Sequence, residues 1–218
     1  TNGVFAERDA VQMALRAGAR CFVLNIDMHN DQSLPKDLFG APREPRLFYR
    51  DTSGTIRSLN SGTVRNVAQA LADLAFVGLS NDPLFVVLYI RDAPPKETID
   101  YLGFLSNIAE QLEPLIPYHL GQTSEGDYHR QMKQNDLFYT PIQRLEKKVI
   151  VLCNADTSAF RNKNYAPNKD LDYLTHVRIY RESTQSFGVT RQPDQNQAAK
   201  AIVDTVASFT IIPPDKKQ

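Results

Sequence analysis

The sequence has no tryptophan, only two cysteines and three methionines, and no surplus of either charge: 25 Lys and Arg stand against 25 Asp and Glu in 218 residues. Each shortage excludes something. A chain this long with two cysteines is not a disulfide-stapled miniprotein. Cys21 and Cys153 each lie in an apolar run and not at C-x-x-C spacing, so they read as core thiols in a reducing compartment. Zero net charge argues against a general nucleic-acid binder, whose phosphate affinity needs excess Lys and Arg. The longest uninterrupted apolar run, residues 84–90, is far shorter than the roughly 20 residues a bilayer-spanning helix needs, so no transmembrane segment is expected. Glu7, Arg8, Asp9 and Arg16 interrupt what would be the apolar part of a signal peptide. The expected location is therefore intracellular, cytoplasmic or within a large assembly.

Motifs are equally scarce. There is no G-x-S-x-G nucleophile elbow, no G-x-x-x-x-G-K phosphate loop, no G-x-G-x-x-G and no internal repeat. What is present is a 42% hydrophobic composition, enough for a buried core, arranged in short alternating blocks. Apolar residues at helical spacing predict helices over residues 4–17, with Gly18 as the stop, over 63–76 with Ser61 or Thr63 as N-cap, over 97–113, and over 198–206. Runs rich in β-formers predict strands near 20–27, 46–50, 84–91, 147–153, 174–181 and 207–212. Residues 154–173, rich in Asn, Asp and Lys, read as a long exposed loop. Apolar strands alternating with helices indicate an α/β fold with a parallel sheet, open or closed into a barrel.

In such folds chemistry collects at the carboxyl ends of the strands. There the sequence offers Asn25, Asp27, His29 and Asp31, then Tyr49, Arg50 and Asp51, then Arg91 and Asp92, then Asn154 and Asp156. Asp27, His29 and Asp31 alternate in a way that would put three metal-ligating groups on one side of an extended segment; a solvated loop is the plainer reading. His29, His119, His129 and His176 stand at no motif spacing. Arg50 and Arg91, with Arg43, Arg46 and Arg57 nearby, are candidates to hold a phosphorylated group.

The succession ALRAGARCFVLNID (14–27), PRLFYRDT (45–52), VRNVAQALADLAF (64–76), PLFVVLYIRD (83–92) and LFYTPIQRLEKKVIVLC (137–153) resembles the X region of phosphoinositide-specific phospholipase C. The strongest pieces are Gly18-x-Arg20-Cys21 with the Leu15 spacing, Ala75-Phe76, and residues 145–151. The resemblance implies one phosphodiesterase-type TIM barrel over residues 1–218, incomplete or distorted and lacking its opening strand. It also implies a calcium site and two catalytic histidines, and here the pattern departs from the family. The positions of the family's acids fall on Val23 and Asn25, that of a histidine on Tyr49, or Arg50 with a one-residue slip, and that of another calcium-binding acid on Arg91. The inositol phosphate lysines fall near Leu152 and Asn154. Valine neither binds calcium nor moves a proton, and arginine repels the metal.

The expectation that follows is a pseudoenzyme: no catalytic residue, no cofactor, the calcium site lost. Such a domain would act as a structural or interaction module among other protein subunits, a viral particle being one such assembly. The alternative is a phosphoinositide phosphodiesterase, using Asp27, His29 and Asp92, or a phosphoinositide-binding module of the same fold.

Overall fold

A computed structural model describes residues 3–77, 80–121, 137, 140–161, 163–183 and 186–191. The helix expected over 198–206, the strand over 207–212 and His129 lie outside the described residues.

Helix α1 (Glu7–Arg16) leads into strand β1 (Cys21–Asp27). Gly18 ends the helix at a φ of 87°, a left-handed conformation that costs a residue without a Cβ little. A single turn, α2 (Lys36–Phe39), and the short β2 (Arg46–Leu47) follow. Then come α3 (Val64–Leu74), β3 (Leu84–Ile90) and α4 (Ile99–Gln111). Thr63 caps α3, its side chain accepting from the Asn66 N–H at 3.0 Å, and Thr98 caps α4 in the same way through Tyr101. A 3-10 helix (Glu113–Tyr118) leads on, and β4 (Val149–Cys153), the one-turn α5 (Leu171–Leu174), β5 (Val177–Ser183) and β6 (Ser186–Arg191) complete the described fold.

The six strands form one sheet in the order β2, β1, β3, β4, β5, β6. β1, β3, β4 and β5 run parallel, as expected of an α/β chain. One departure stands out. The segment near 46–50, expected as a parallel strand, pairs antiparallel to β1 through Ile26 with Leu47 and Asp27 with Arg46. A parallel return needs a crossover element, and the connection from residue 28 to 45 holds only the four-residue α2. Among the described residues the sheet is open, with β2 and β6 at its edges, which is consistent with the incomplete barrel expected.

Pairing register sorts the strand residues onto two faces. Leu24 and Ile26 of β1, Leu84, Val86 and Leu88 of β3, and Val149, Val151 and Cys153 of β4 share one face. They pack with Val67 and Leu71 of α3 and with Leu105 and Ile108 of α4 in the main core. Each such side chain taken from water contributes about 1.5–3 kcal/mol before entropy is counted. The opposite face carries Ile150, Leu152, Val177 and Ile179 under Leu120, Leu137 and Leu145, with Phe85 and Val87 half-buried. Towards β1 this second cover runs out, and Val23 is 41% exposed.

Residues 154–173 are not a simple exposed loop. They contain two 3-10 turns and most of α5, and Phe160 and Leu171 are wholly buried. The polar composition misled because its apolar residues are few and widely spaced. Among the described residues no helix is long and apolar enough to cross a membrane.

Candidate functional site

The carboxyl ends of the parallel strands form the place where ligands bind in open α/β sheets, and this chain brings charged groups there from three strands. Asp27, the last residue of β1, is buried. Its Oδ2 pairs with Nε of Arg50, and its Oδ1 accepts from the Met28 N–H. The Arg50 guanidinium donates again to the carbonyls of Met28 and Gly54, at 2.9 Å each, and lies over the Phe48 ring. Arg50 thus faces inward and serves as a pin between the end of β1 and the 50–57 turn; its charge is balanced by Asp27.

The metal reading of Asp27, His29 and Asp31 fails on geometry. His29 is buried, with Nδ1 3.0 Å from the Asp31 carbonyl and Nε2 3.2 Å from the Gly40 carbonyl. Asp31 turns to solvent and accepts from the backbone and hydroxyl of Ser33, which hold its carboxyl below the usual range. The three groups therefore point to different partners. Among the described residues no set of three or more His, Cys, Asp or Glu could hold a metal ion.

The other arginines at this end are also paired. Arg43 bonds Asp100 at 3.2 Å, Arg46 bonds Glu44 at 2.9 Å, and Arg57 bonds Asp51 at 2.7 Å. Arg91 is different. It follows β3, its backbone N–H donates to the Ile26 carbonyl, and no ion pair forms at its side chain among the described residues. With Lys96, Tyr101, Asn154 and Asp156 it lines a crevice of about 240 Å³ between the ends of β3 and β4.

Asn154 shapes that crevice. Its side chain accepts from the Ile90 N–H at 2.7 Å and donates to the Ile90 carbonyl at 2.9 Å. Asp156 pairs with Arg178 of β5 at 3.5 Å. Burial pushes its carboxyl up, but bonds from the Ser158 side chain and backbone, and the charges of Arg178 and Lys96, outweigh burial and hold it below the usual range. The Tyr101 hydroxyl donates to the Asp156 carbonyl at 3.2 Å and accepts from the Asp156 N–H at 3.1 Å. Burial raises that phenol to about 12, so it is a hydrogen-bonding group and not a base near neutrality. Sequence reasoning singled out Arg91 but missed Lys96 and Arg178; their one legible signal was a position just beyond β3 or at the start of β5.

The four positions matched to family site residues do not converge. Val23, Asn25 and Tyr49 line a separate groove of about 350 Å³ beside α1, whereas Arg91 lines the β3–β4 crevice. Leu152 is buried in the second core cluster.

His119 and His176 sit away from the mouth, near the start of β4, their rings 4.2 Å apart. Nδ1 of His119 accepts from the Gly121 N–H, which fixes the Nε2–H tautomer that donates to the Leu174 carbonyl at 2.8 Å. Burial pushes His119 down to about 4, so it is neutral in the fold. In His176, Nδ1 accepts from the Val151 N–H at 2.8 Å. The His176 ring ties β4 to the residue before β5, and the His119 ring ties residues 119–121 to the end of α5.

No protein-family description matches the sequence, and no curated protein matches it. Among solved structures, the chain is similar to PLC21 of L. pealei, with 14% identity, a TM-score of 0.47, and coverage of 81% of this chain and 21% of that one. It is similar likewise to PLC21 of S. officinalis, with 14% identity, a TM-score of 0.49, and coverage of 84% and 22%. The chain thus spans about a fifth of the length of the structures it matches.

Proposed function

We propose that the chain is a catalytically inactive module of phospholipase C-like type that holds a phosphorylated, anionic group in the crevice between the ends of β3 and β4. One observation carries the reading: Arg91 and Lys96 line the crevice with a single carboxylate, Asp156, and that carboxylate is already paired with Arg178, so the crevice keeps a surplus of positive charge. Arginine and lysine there suit a phosphate ester, which accepts several charge-assisted hydrogen bonds. The carboxylates beside them are committed, Asp27 to Arg50 and Asp156 to Arg178 and Ser158, so neither is placed as a free general base.

The test is flotation with phosphatidylcholine vesicles, with and without phosphatidylinositol bisphosphate, alongside titration with a soluble inositol phosphate. Binding is expected without turnover. Arg91→Glu with Lys96→Glu is expected to weaken it at least about 100-fold, since two charge-assisted bonds worth about 1.5–3 kcal/mol each are lost. Calcium-dependent release of diacylglycerol, abolished by Asp27→Ala, would refute the inactive reading.

A second reading, an interaction component of a larger assembly such as a viral particle, is favoured by large apolar side chains left in solvent, among them Ile99 at 82%, Met13 at 72% and Val4 at 66% exposure. A chain that purifies as a monomer without partners at its native concentration counts against it.

A further inference from the structure

The cation that Asp156 holds is kept out of the crevice beside it. Arg178 stands on β5, opposite Cys153 of β4, and does not itself line the crevice, whereas Asp156, its partner at 3.5 Å, does. The carboxylate is thus an anion already in place. It accepts from the Ser158 N–H at 3.1 Å and feels the charge of Lys96 as well as that of Arg178. Its hold on Arg178 is loose. At 3.5 Å the contact is longer than a charge-assisted hydrogen bond, which runs to about 2.7–2.9 Å. The Arg178 and Asp156 side chains are 25% and 30% exposed, so water competes for both, and such ion pairs contribute little. Nor does the main chain depend on the pair. The Tyr101 hydroxyl bonds both backbone polar atoms of Asp156, at 3.1 and 3.2 Å, and the Asn154 side chain does the same for Ile90. The crevice walls are held in place without the carboxylate, which is free to turn about its own side-chain bonds.

We propose that Asp156 is an internal stand-in for the ligand, and that a phosphomonoester displaces it from Arg178. This rests on the anion-binding reading of the crevice and narrows it to a chemical class. A phosphodiester carries a single negative charge, as the carboxylate does, and gains nothing by replacing it. A phosphomonoester carries about −1.5 to −2 at neutral pH and offers three strong acceptor oxygens, so it exceeds the carboxylate in charge and in acceptors alike. Once Asp156 turns out, Arg178 joins Arg91 and Lys96, and each terminal oxygen of the ester has a cation to meet it. Without that exchange the ligand would meet Arg91 and Lys96 beside a carboxylate of its own sign. The loose pair makes the exchange easy for a dianion, while a singly charged ligand has no surplus with which to drive it. Asp156 therefore acts as a filter on ligand charge, holding Arg178 in reserve for a group that carries more than one.

Calorimetric titration at neutral pH with glycerol 3-phosphate, a monoester, and with its methyl diester tests this on the unaltered chain, on Asp156→Asn, and on Asp156→Asn combined with Arg178→Gln. The unaltered chain is expected to bind the monoester at least about 10-fold more tightly than the diester. Asp156→Asn keeps an acceptor for the Ser158 N–H but removes the competing charge, and is expected to tighten the monoester about 5-fold. Adding Arg178→Gln is expected to weaken binding at least about 10-fold from that level, the size of one charge-assisted bond. The combined variant removes both members of the pair, so it strands no charge, and far-ultraviolet circular dichroism checks that its fold is kept. Equal affinity for the two esters overturns the proposal. So does an Asp156→Asn chain that binds the monoester no more tightly, or a combined variant that binds as well as Asp156→Asn alone. If neither ester binds any of these chains, the anion-binding reading of the crevice falls as well.

Discussion

Removing the Arg50 side chain tests the electrostatics of the strand ends most directly. The Asp27 side chain is 3% exposed and that of Arg50 18%, so the pair lies largely outside water. Arg50→Ala deletes the countercharge of Asp27 and the donors to the Met28 and Gly54 carbonyls in one step. Breaking a buried pair from one side typically costs about 3–5 kcal/mol, because the remaining charge is left uncompensated. Against a total stability of about 5–15 kcal/mol, that is a large fraction. Adding Asp27→Asn to the same chain removes the stranded charge and is expected to recover part of the loss, a coupling of about 1–3 kcal/mol in a double-mutant cycle. Arg50→Lys keeps the charge but not the fork that reaches three acceptors, and should fall between. Urea unfolding followed by far-ultraviolet circular dichroism measures these three variants and the Asp27→Asn single variant that closes the cycle, since the chain has no tryptophan to report by fluorescence. A loss below about 1 kcal/mol for Arg50→Ala, with additive single effects, would mean the pair behaves as a solvated surface bridge and would refute the argument.

Two further predictions concern the interior. His119 is held neutral, its folded value near 4 lying below the unfolded value near 6.5, so the unfolded chain binds the proton first. Its contribution is fully present above about pH 6.5 and is lost as pH falls towards about 4; His119→Gln should flatten that part of the stability profile, and an unaltered slope would refute the assignment. Phe160→Ala should cost about 3–5 kcal/mol in the same unfolding assay, as a buried aromatic does, whereas a loss within about 0.5 kcal/mol would restore residues 154–173 to the status of a surface loop.

The helices and central strands were legible because their signal is periodic burial. Val64, Val67, Ala68 and Leu71 recur at helical spacing and all four are buried in α3. The run 84–90 is apolar throughout because β3 has a neighbour on each side and cover on both faces. The hand of β2 was not legible, since direction depends on what fits between residues 28 and 45 and not on the residues of the strand itself. The anion crevice was half legible. Arg91 follows an obvious strand, but Lys96 and Arg178 reach the same place from a turn and from a different strand. Arg50 was misread for a related reason: sequence shows a cation, while only the fold shows that a buried carboxylate already claims it.

The asparagine after β4 has a wider meaning. Its amide sets its acceptor and one of its two donors in the same relation as a peptide group, and with them it satisfies both polar atoms of Ile90. The main chain is thereby released from the ladder one residue early, without orphaning a neighbour. Asn154 works as a detachable last rung. The gap between β3 and β4 is held open by a side chain acting as backbone, and an aspartate there would keep the acceptor but oppose the Ile90 carbonyl with a charge of the same sign.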